Sequence, residues 1–344
     1  GLRGGLAAGT VLICTMFSAM VGISGAATTS MGLIALPSML KRGYKKDIAL
    51  GCISAGGSLG ILIPPSVLMI ILALTSRVSV GQMFIAGILP GLLLSSLFVG
   101  YILIRCYFQK DMGPAVPPDE RLPASARMRL LRALLLPVSL IFAVMGSMFF
   151  GLATPSEASA IGALGAIVSA IIKRSFTWEN FTSALFITLR LSAMVIWIVF
   201  AASAFTALYA VTGASSLVSD LVKGVGDPWT VIITMQLILL VLGMFFDPTG
   251  IVLLTAPIFF PIVTSLGFEP LWFAILIVIN MELAFITPPF GFNLFYMKAV
   301  VPPDVSMMDI YKSSAPFVLL MILGLVLCMI FPGIVTWLPS MMTT

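Results

Sequence analysis

The chain has 344 residues, 60% of them hydrophobic and only 9% charged, against about 25% charged in a soluble domain, so a soluble domain is excluded and lipid is its solvent. The net charge of +5 sits in short loops, where Lys and Arg set membrane orientation, and does not point to nucleic acid. Histidine, the commonest general base and metal ligand, is absent, and the four scattered cysteines, Cys14, Cys52, Cys106 and Cys328, read as small core residues rather than a disulfide or metal set.

Lipid offers the backbone no hydrogen bonds, so only helices or closed barrels can span it. The apolar runs, such as 231–246 and 316–331, are long and do not alternate. That excludes a barrel and predicts an all-α polytopic membrane bundle. The opening GLRGGLAAG has no initiator Met and no signal-like segment, and leads to the expectation of an N-terminal truncation.

In chain order, residues 5–40 read as a re-entrant hairpin. An apolar stretch runs to 22, a small polar knot GISGAATTS occupies 22–30, and a second apolar stretch 31–40 meets Lys41, Arg42, Lys45 and Lys46. Ten residues reach roughly 15 Å, half of a hydrocarbon core. An entering helix starts at 47, is loosened by Gly56, Gly57, Ser58 and Gly60, and breaks at Pro64-Pro65, because proline lacks a donor and disfavours helix before it. It resumes at Ser66 and exits near Arg77; a plain span, 82–104, completes the first unit, 1–104. Residues 105–132 form a basic, Pro-rich linker.

The second unit, 133–344, opens with helices over 133–212. A second hairpin covers 229–264, with Asp247-Pro248-Thr249-Gly250 at its tip. A second broken helix covers 271–298, interrupted at Thr287-Pro288-Pro289, and a last span covers 315–337. A constant offset of 224 residues relates the two units: Pro64 pairs with Pro288, Pro37 with Pro261, Gly43 with Gly267 and Leu59 with Leu283. Pro90 and Pro316 pair at 226, after a two-residue slip near Arg77. The loop after the first return arm carries four basic residues and the equivalent loop, 265–270, none. The positive-inside rule then puts the first loop and the linker in the cytoplasm, and the second loop and the C-terminal end outside. The copies face opposite ways, as inverted-topology repeats.

Duplicated hairpins and proline-broken helices are the pattern of a secondary transporter with its site between the repeats. Freed carbonyls suit a hard cation such as Na+, and the N-terminus of each return arm suits an anion. At the first tip, Ser24, Thr28, Thr29 and Ser30 supply hydroxyls, while Gly25, Ala26 and Ala27 admit close approach; small-residue helix packing explains the same run. Asp247 is either a site carboxylate or an N-cap before Pro248. Glu157 fits a capping box with Thr154. Asn280, Glu282 and Asn293 flank the second break, either as functional groups or as hydrogen-bonding glue between helices. Lys298, Lys312 and Arg190 are expected to snorkel to lipid headgroups.

In this order and spacing, RGGLA (3–7), ISG (23–25), KRGY (41–44), IPPS (63–66), AGILPG (86–91), ATPSEA (153–158), GMFFD (243–247) and TPPFG (287–291) make the chain resemble the DctM-like large membrane subunit of TRAP transporters. The resemblance covers essentially the whole sequence. It implies a multi-pass protein of the bacterial inner membrane that imports an organic acid anion, driven by sodium, by an elevator motion. It implies a small membrane subunit and a periplasmic substrate-binding protein as partners, and sodium as coupling ion with no other cofactor. Sodium would lie between each tip and its neighbouring break. One site maps onto Ser24, Gly25, Ala26, Ala27 and Thr28 with Gly56, Gly57, Ser58, Gly60 and Pro64. The other maps onto Asp247, Pro248, Thr249 and Gly250 with Asn280, Glu282, Thr287 and Pro288. The implied sodium ligands are Ser24, Thr28, Gly57, Asp247, Thr249 and Thr287. Ala26 stands where many relatives carry a second serine. A sodium–carboxylate symporter that needs no binding protein is the alternative within transport. A membrane-embedded enzyme would need a nucleophile with its base or paired aspartates, and Asp247 has no evident acidic partner in the sequence.

Overall fold

A computed structural model of the protein describes residues 2–117, 135–213 and 227–342; residues 118–134, most of the expected basic linker, lie outside the described residues. All regular structure among the described residues is helical. Among the described residues, five helices are long and apolar enough to cross a membrane.

The first hairpin pairs α1 (Gly5–Val21) with α2 (Ser24–Lys41). Gly22 closes α1 in the left-handed region, at φ 68°, and donates its N–H to Ser18 O; glycine takes this conformation without a Cβ penalty. The turn is shorter than the sequence suggests. Residues 24–30 of the polar knot are not loop but the first two turns of α2, which makes the return arm 18 residues long. The physical reason is local: Thr29 Oγ1 donates to Gly25 O at 2.8 Å, so a hydroxyl inside the helix is satisfied without breaking it.

The first interrupted helix is α3 (Lys46–Ser58), a 3₁₀ turn (Leu59–Ile61) and α4 (Val67–Ser76). Then come α5 (Val80–Phe108), α6 (Leu135–Phe149), α7 (Pro155–Ile172) and α8 (Trp178–Val211). The second hairpin pairs α9 (Pro228–Gly243) with α10 (Pro248–Ser265). The second interrupted helix is α11 (Pro270–Phe285) and α12 (Phe292–Val300). The Pro64-Pro65 and Pro288-Pro289 bonds are both cis. The last long helix, α13, is Met307–Ile330, not 315–337. It starts early because Ser306 and Asp309 form a capping box, and it stops before Pro332, where α14 (Gly333–Thr336) begins a separate turn.

Both ends of the first hairpin meet one loop: Gly4 N–H donates to Gly113 O at 2.9 Å and Lys45 N–H to Met112 O at 3.1 Å. The hairpin therefore starts and finishes at the same end of the bundle. The second hairpin does likewise, with Trp229 at its start 5.2 Å from Phe268 at its finish, ring centre to ring centre. Helix α13 separates these two mouths. Lys46 pairs with Asp304 at 2.6 Å, just before α13 begins, while Trp272 Nε1 donates to Cys328 O at 2.8 Å, near its end. Twenty-four residues span about 36 Å, so the hairpins open toward opposite ends of the bundle.

The core lies where the two halves interlock. All of α11 from Leu271 to Phe285 is buried, as is α3 from Ile48 to Ser58. Helix α12, from the second half, lies along α2 of the first, and α4 lies along α10. Among the described side chains of α8 none is buried and most are exposed. Lipid is as apolar as leucine, so close packing rather than exclusion of water holds the inner helices together.

Candidate functional site

At the first tip, α2 begins after Ile23 with no side-chain cap. Its first-turn N–H groups lack intrahelical acceptors and carry the positive end of the helix dipole. Ser24 and Thr28 are buried at 2% and 0% exposure. Gly25 and Ala27 are buried beside them, and Ala26 is half-buried.

This tip sits on the first break, backbone against backbone. A Cβ at Gly60 would lie 2.9 Å from Ile23 C and 3.0 Å from Ser24 N. One at Gly57 would lie 2.0 Å from Thr28 Oγ1 and 2.9 Å from Thr28 N and Cα, and one at Gly22 would lie 2.5 Å from Pro65 O. Gly56, Ser58 and Pro64 are buried in the same stretch. Of the residues expected to share this site, Ser24 thus lies directly against Gly60 and Thr28 directly against Gly57. The break keeps some carbonyls occupied: Ile61 O accepts from Ser66 Oγ at 2.7 Å, and Ser66 caps α4.

A buried polar chain crosses the two halves here. Thr28 Oγ1 donates to Asn293 Oδ1 at 2.6 Å, and Asn293 Nδ2 donates to Ser54 O. Ser58 Oγ is 2.8 Å from Ala55 O and 3.3 Å from Glu282 Oε1. Ser58 and Glu282 are themselves related by the 224-residue offset, so equivalent positions of the two units meet. Glu282 is fully buried, and its Oε2 has no partner among the described residues.

The second tip is arranged differently. Asp247 is exposed, accepts from Thr249 N–H at 2.9 Å and precedes Pro248 at the first turn of α10; this is the N-cap geometry. Gly250 has no neighbour within 4 Å of where its Cβ would be. Tip and break touch through Phe245 and Phe290, 6.2 Å between ring centres. Thr287 is half-buried and donates to Leu283 O at 2.7 Å, Pro288 is exposed, and Pro289 O accepts from Tyr311 at 2.7 Å. Asn280 turns away from the tip: its Nδ2 donates to Gln236 O at 2.7 Å and Gln236 Oε1 at 2.8 Å, joining α11 to α9. At the second tip, Asp247 is thus exposed while Glu282 of the neighbouring break is fully buried, and tip and break meet through aromatic rings. Glu157 closes a capping box with Thr154. Lys298 is half-buried and donates to Val305 O at 2.6 Å.

Gln236, Ser54 and Tyr311 escaped the sequence reading. Gln236 had a signal, as a lone amide in an apolar run. Ser54 contributes a backbone carbonyl, which no side-chain pattern announces. A cavity of about 1080 Å³, with Arg77, Ser76, Phe260 and Val199 among its walls, lies between α4, α10 and α8 and includes no tip residue.

The family model "Tripartite ATP-independent periplasmic transporter, DctM component" matches residues 1–334. The chain belongs to the DctM family. It is a permease subunit of a TRAP transporter, a multi-pass membrane protein and not an enzyme. It is 34% identical to the C4-dicarboxylate TRAP transporter large permease protein DctM of Pseudomonas aeruginosa, over 98% of this chain and 78% of the relative. It is 32% identical to the ectoine/5-hydroxyectoine TRAP transporter large permease protein UehC of Ruegeria pomeroyi, over 96% and 76%. Among solved structures, the Neisseria gonorrhoeae MtrF efflux pump aligns with a TM-score of 0.61 at 15% identity, over 95% of this chain and 78% of that one; this likeness concerns the fold alone.

Proposed function

We propose that this DctM protein is the sodium-driven, binding-protein-dependent importer of an organic acid anion, C4-dicarboxylates being the substrate class that the Pseudomonas relative's name suggests. It works in the inner membrane with a small membrane subunit and a periplasmic binding protein. The two hairpins and interrupted helices form inverted-topology repeats that travel together as an elevator against α6–α8.

The observation that carries this reading is the seating of the first tip on the Gly57–Gly60 turn. It gathers the buried hydroxyl-bearing residues Ser24 and Thr28, the backbone of the helix break and a helix N-terminus without a side-chain cap in one place. Oxygen donors suit Na+, and the helix N-terminus suits a carboxylate. Opposed hairpin mouths and the crossed packing of α12 on α2 and α4 on α10 support the two-copy arrangement. The exposed surface of α8 suits a membrane-facing scaffold. Asp247 enters as the cap that sets the start of α10 and as the acidic group of the second tip.

The test is uptake of a radiolabelled C4-dicarboxylate into proteoliposomes holding both membrane subunits, with binding protein outside and an imposed sodium gradient. Ser24→Ala and Asp247→Ala are each expected to raise the sodium concentration for half-maximal uptake. Uptake that ignores sodium, or an unchanged sodium dependence in both variants, refutes the reading.

A further inference from the structure

We propose that Asn293 is a positioning residue for the cation site at the first tip: it accepts the hydrogen bond of the Thr28 hydroxyl and leaves that oxygen's lone pairs for the ion. The proposal rests on the sodium-site reading above. It goes further by making the first site depend on a side chain from the other half of the chain.

The proton assignment follows from the acceptors. Asn293 sits between a hydroxyl and a backbone carbonyl, Ser54 O. A carbonyl cannot donate, so the amide nitrogen faces Ser54 and the amide oxygen faces Thr28. An amide oxygen also cannot donate, so the single hydroxyl hydrogen of Thr28 is committed to it at 2.6 Å. To every other neighbour, Thr28 Oγ1 then presents lone pairs only. A hydroxyl free to rotate would meet an arriving cation with its hydrogen in some orientations; this one is preorganised.

That oxygen faces the break. Its position, 2.0 Å from where a Gly57 Cβ would stand, points it at the part of α3 that leads into the broken segment. Both Thr28 and Asn293 are wholly buried, so no surface water competes for the pair.

Packing alone does not call for this bond. The 224-residue offset carries Thr28 onto Val252 and Asn293 back onto Met69. Both counterparts are apolar and fully buried, on α10 and α4, which pack together as α2 and α12 do. The same junction is thus built once with apolar side chains and once with a hydrogen-bonded pair. A buried polar pair carries a desolvation cost that its apolar counterpart avoids, and a ligand-orienting task accounts for it at the first tip alone.

The experiment reads sodium binding without any substrate. The complex of both membrane subunits in lipid nanodiscs is heated across a series of NaCl concentrations, with choline chloride holding ionic strength constant. The sodium-dependent rise in melting midpoint gives a half-saturating concentration. Asn293→Ala and Thr28→Val are each expected to raise that concentration about tenfold, the effect of one hydrogen bond to a liganding oxygen. The double variant is expected to match either single one within about twofold, because both remove the same oriented oxygen. Thr28→Ser, which keeps the hydroxyl, is expected to restore sodium binding. Asn293→Leu, which matches Asn in side-chain heavy-atom count and branching, runs the same cycle if the alanine variant does not fold. Multiplying effects, or an Asn293 variant with wild-type sodium binding beside a weakened Thr28→Val, overturn the proposal and leave the site reading standing. The absence of any sodium-specific shift in the unchanged protein overturns the site reading, and the proposal with it.

Discussion

Gly57 offers the sharpest test of the tip-on-break contact. In Gly57→Ala the new methyl would stand 2.0 Å from Thr28 Oγ1 and 2.9 Å from Thr28 N and Cα. The hydroxyl can swing away, but only by giving up its bond to Asn293. The backbone atoms cannot swing, so α2 must retreat by roughly 0.6 Å to restore van der Waals distance. Overpacking of this kind costs about 1–3 kcal/mol, and the lost hydrogen bond about 1 more. A combined loss of roughly 2–4 kcal/mol lowers an apparent melting midpoint by roughly 5–10 °C. Gly100→Ala is the matched control: the same methyl, in the middle of α5, meets no atom within 4 Å, and no loss is expected. The assay is thermal melting of the purified protein in nanodiscs. Equal midpoints for the two variants would show that the first hairpin tip does not sit on the break, and the site geometry would fall with it.

Asn280→Ala removes both bonds to Gln236 and leaves that amide buried, a loss of about 1–3 kcal/mol. Because Asn280 faces α9 rather than the tip, its half-saturating sodium concentration should stay at the wild-type value; a tenfold rise would place it among the ion ligands. The Lys46 ammonium, by hydrogen bond and charge, holds the Asp304 carboxyl below the usual carboxylate range. A lowered folded value means that the pair stabilises above the ordinary pKa of about 4 and stops doing so as pH falls through the folded value. Asp304→Asn should therefore melt slightly below wild type at pH 7. The gap should close on acidification and in high salt, since both side chains are exposed. A gap that widens in acid would contradict the pairing.

Much of the fold is legible in the chain because membrane physics leaves few choices. Apolar runs must become helices, the Pro64-Pro65 and Pro288-Pro289 pairs interrupt two of them, and the basic residues at 41–46 mark one face. The hairpins, the two interruptions and the capping boxes at Thr154 and, as one of two readings, the cap at Asp247 follow from such local rules. Local rules also explain the shortfalls. The knot at 22–30 looks like loop by composition, yet threonine back-bonding lets it run as helix. The start of α13 was hidden behind the charged residues Asp309 and Lys312, which a hydropathy reading counts against a span.

Sequence by itself determined the doubled order of elements and the oxygen-rich chemistry of the first tip, since both depend on residue type and spacing along one strand of chain. Only the tertiary structure decided which residues touch across the two halves. It placed Asn293 against Thr28 and Ser54, and Ser58 against Glu282, across more than 200 positions. It turned Asn280 toward Gln236 and left Asp247 at the surface. Those outcomes depend on how helices from opposite halves cross. Crossing is fixed by close packing of small residues over the whole interface, a property that no single segment carries.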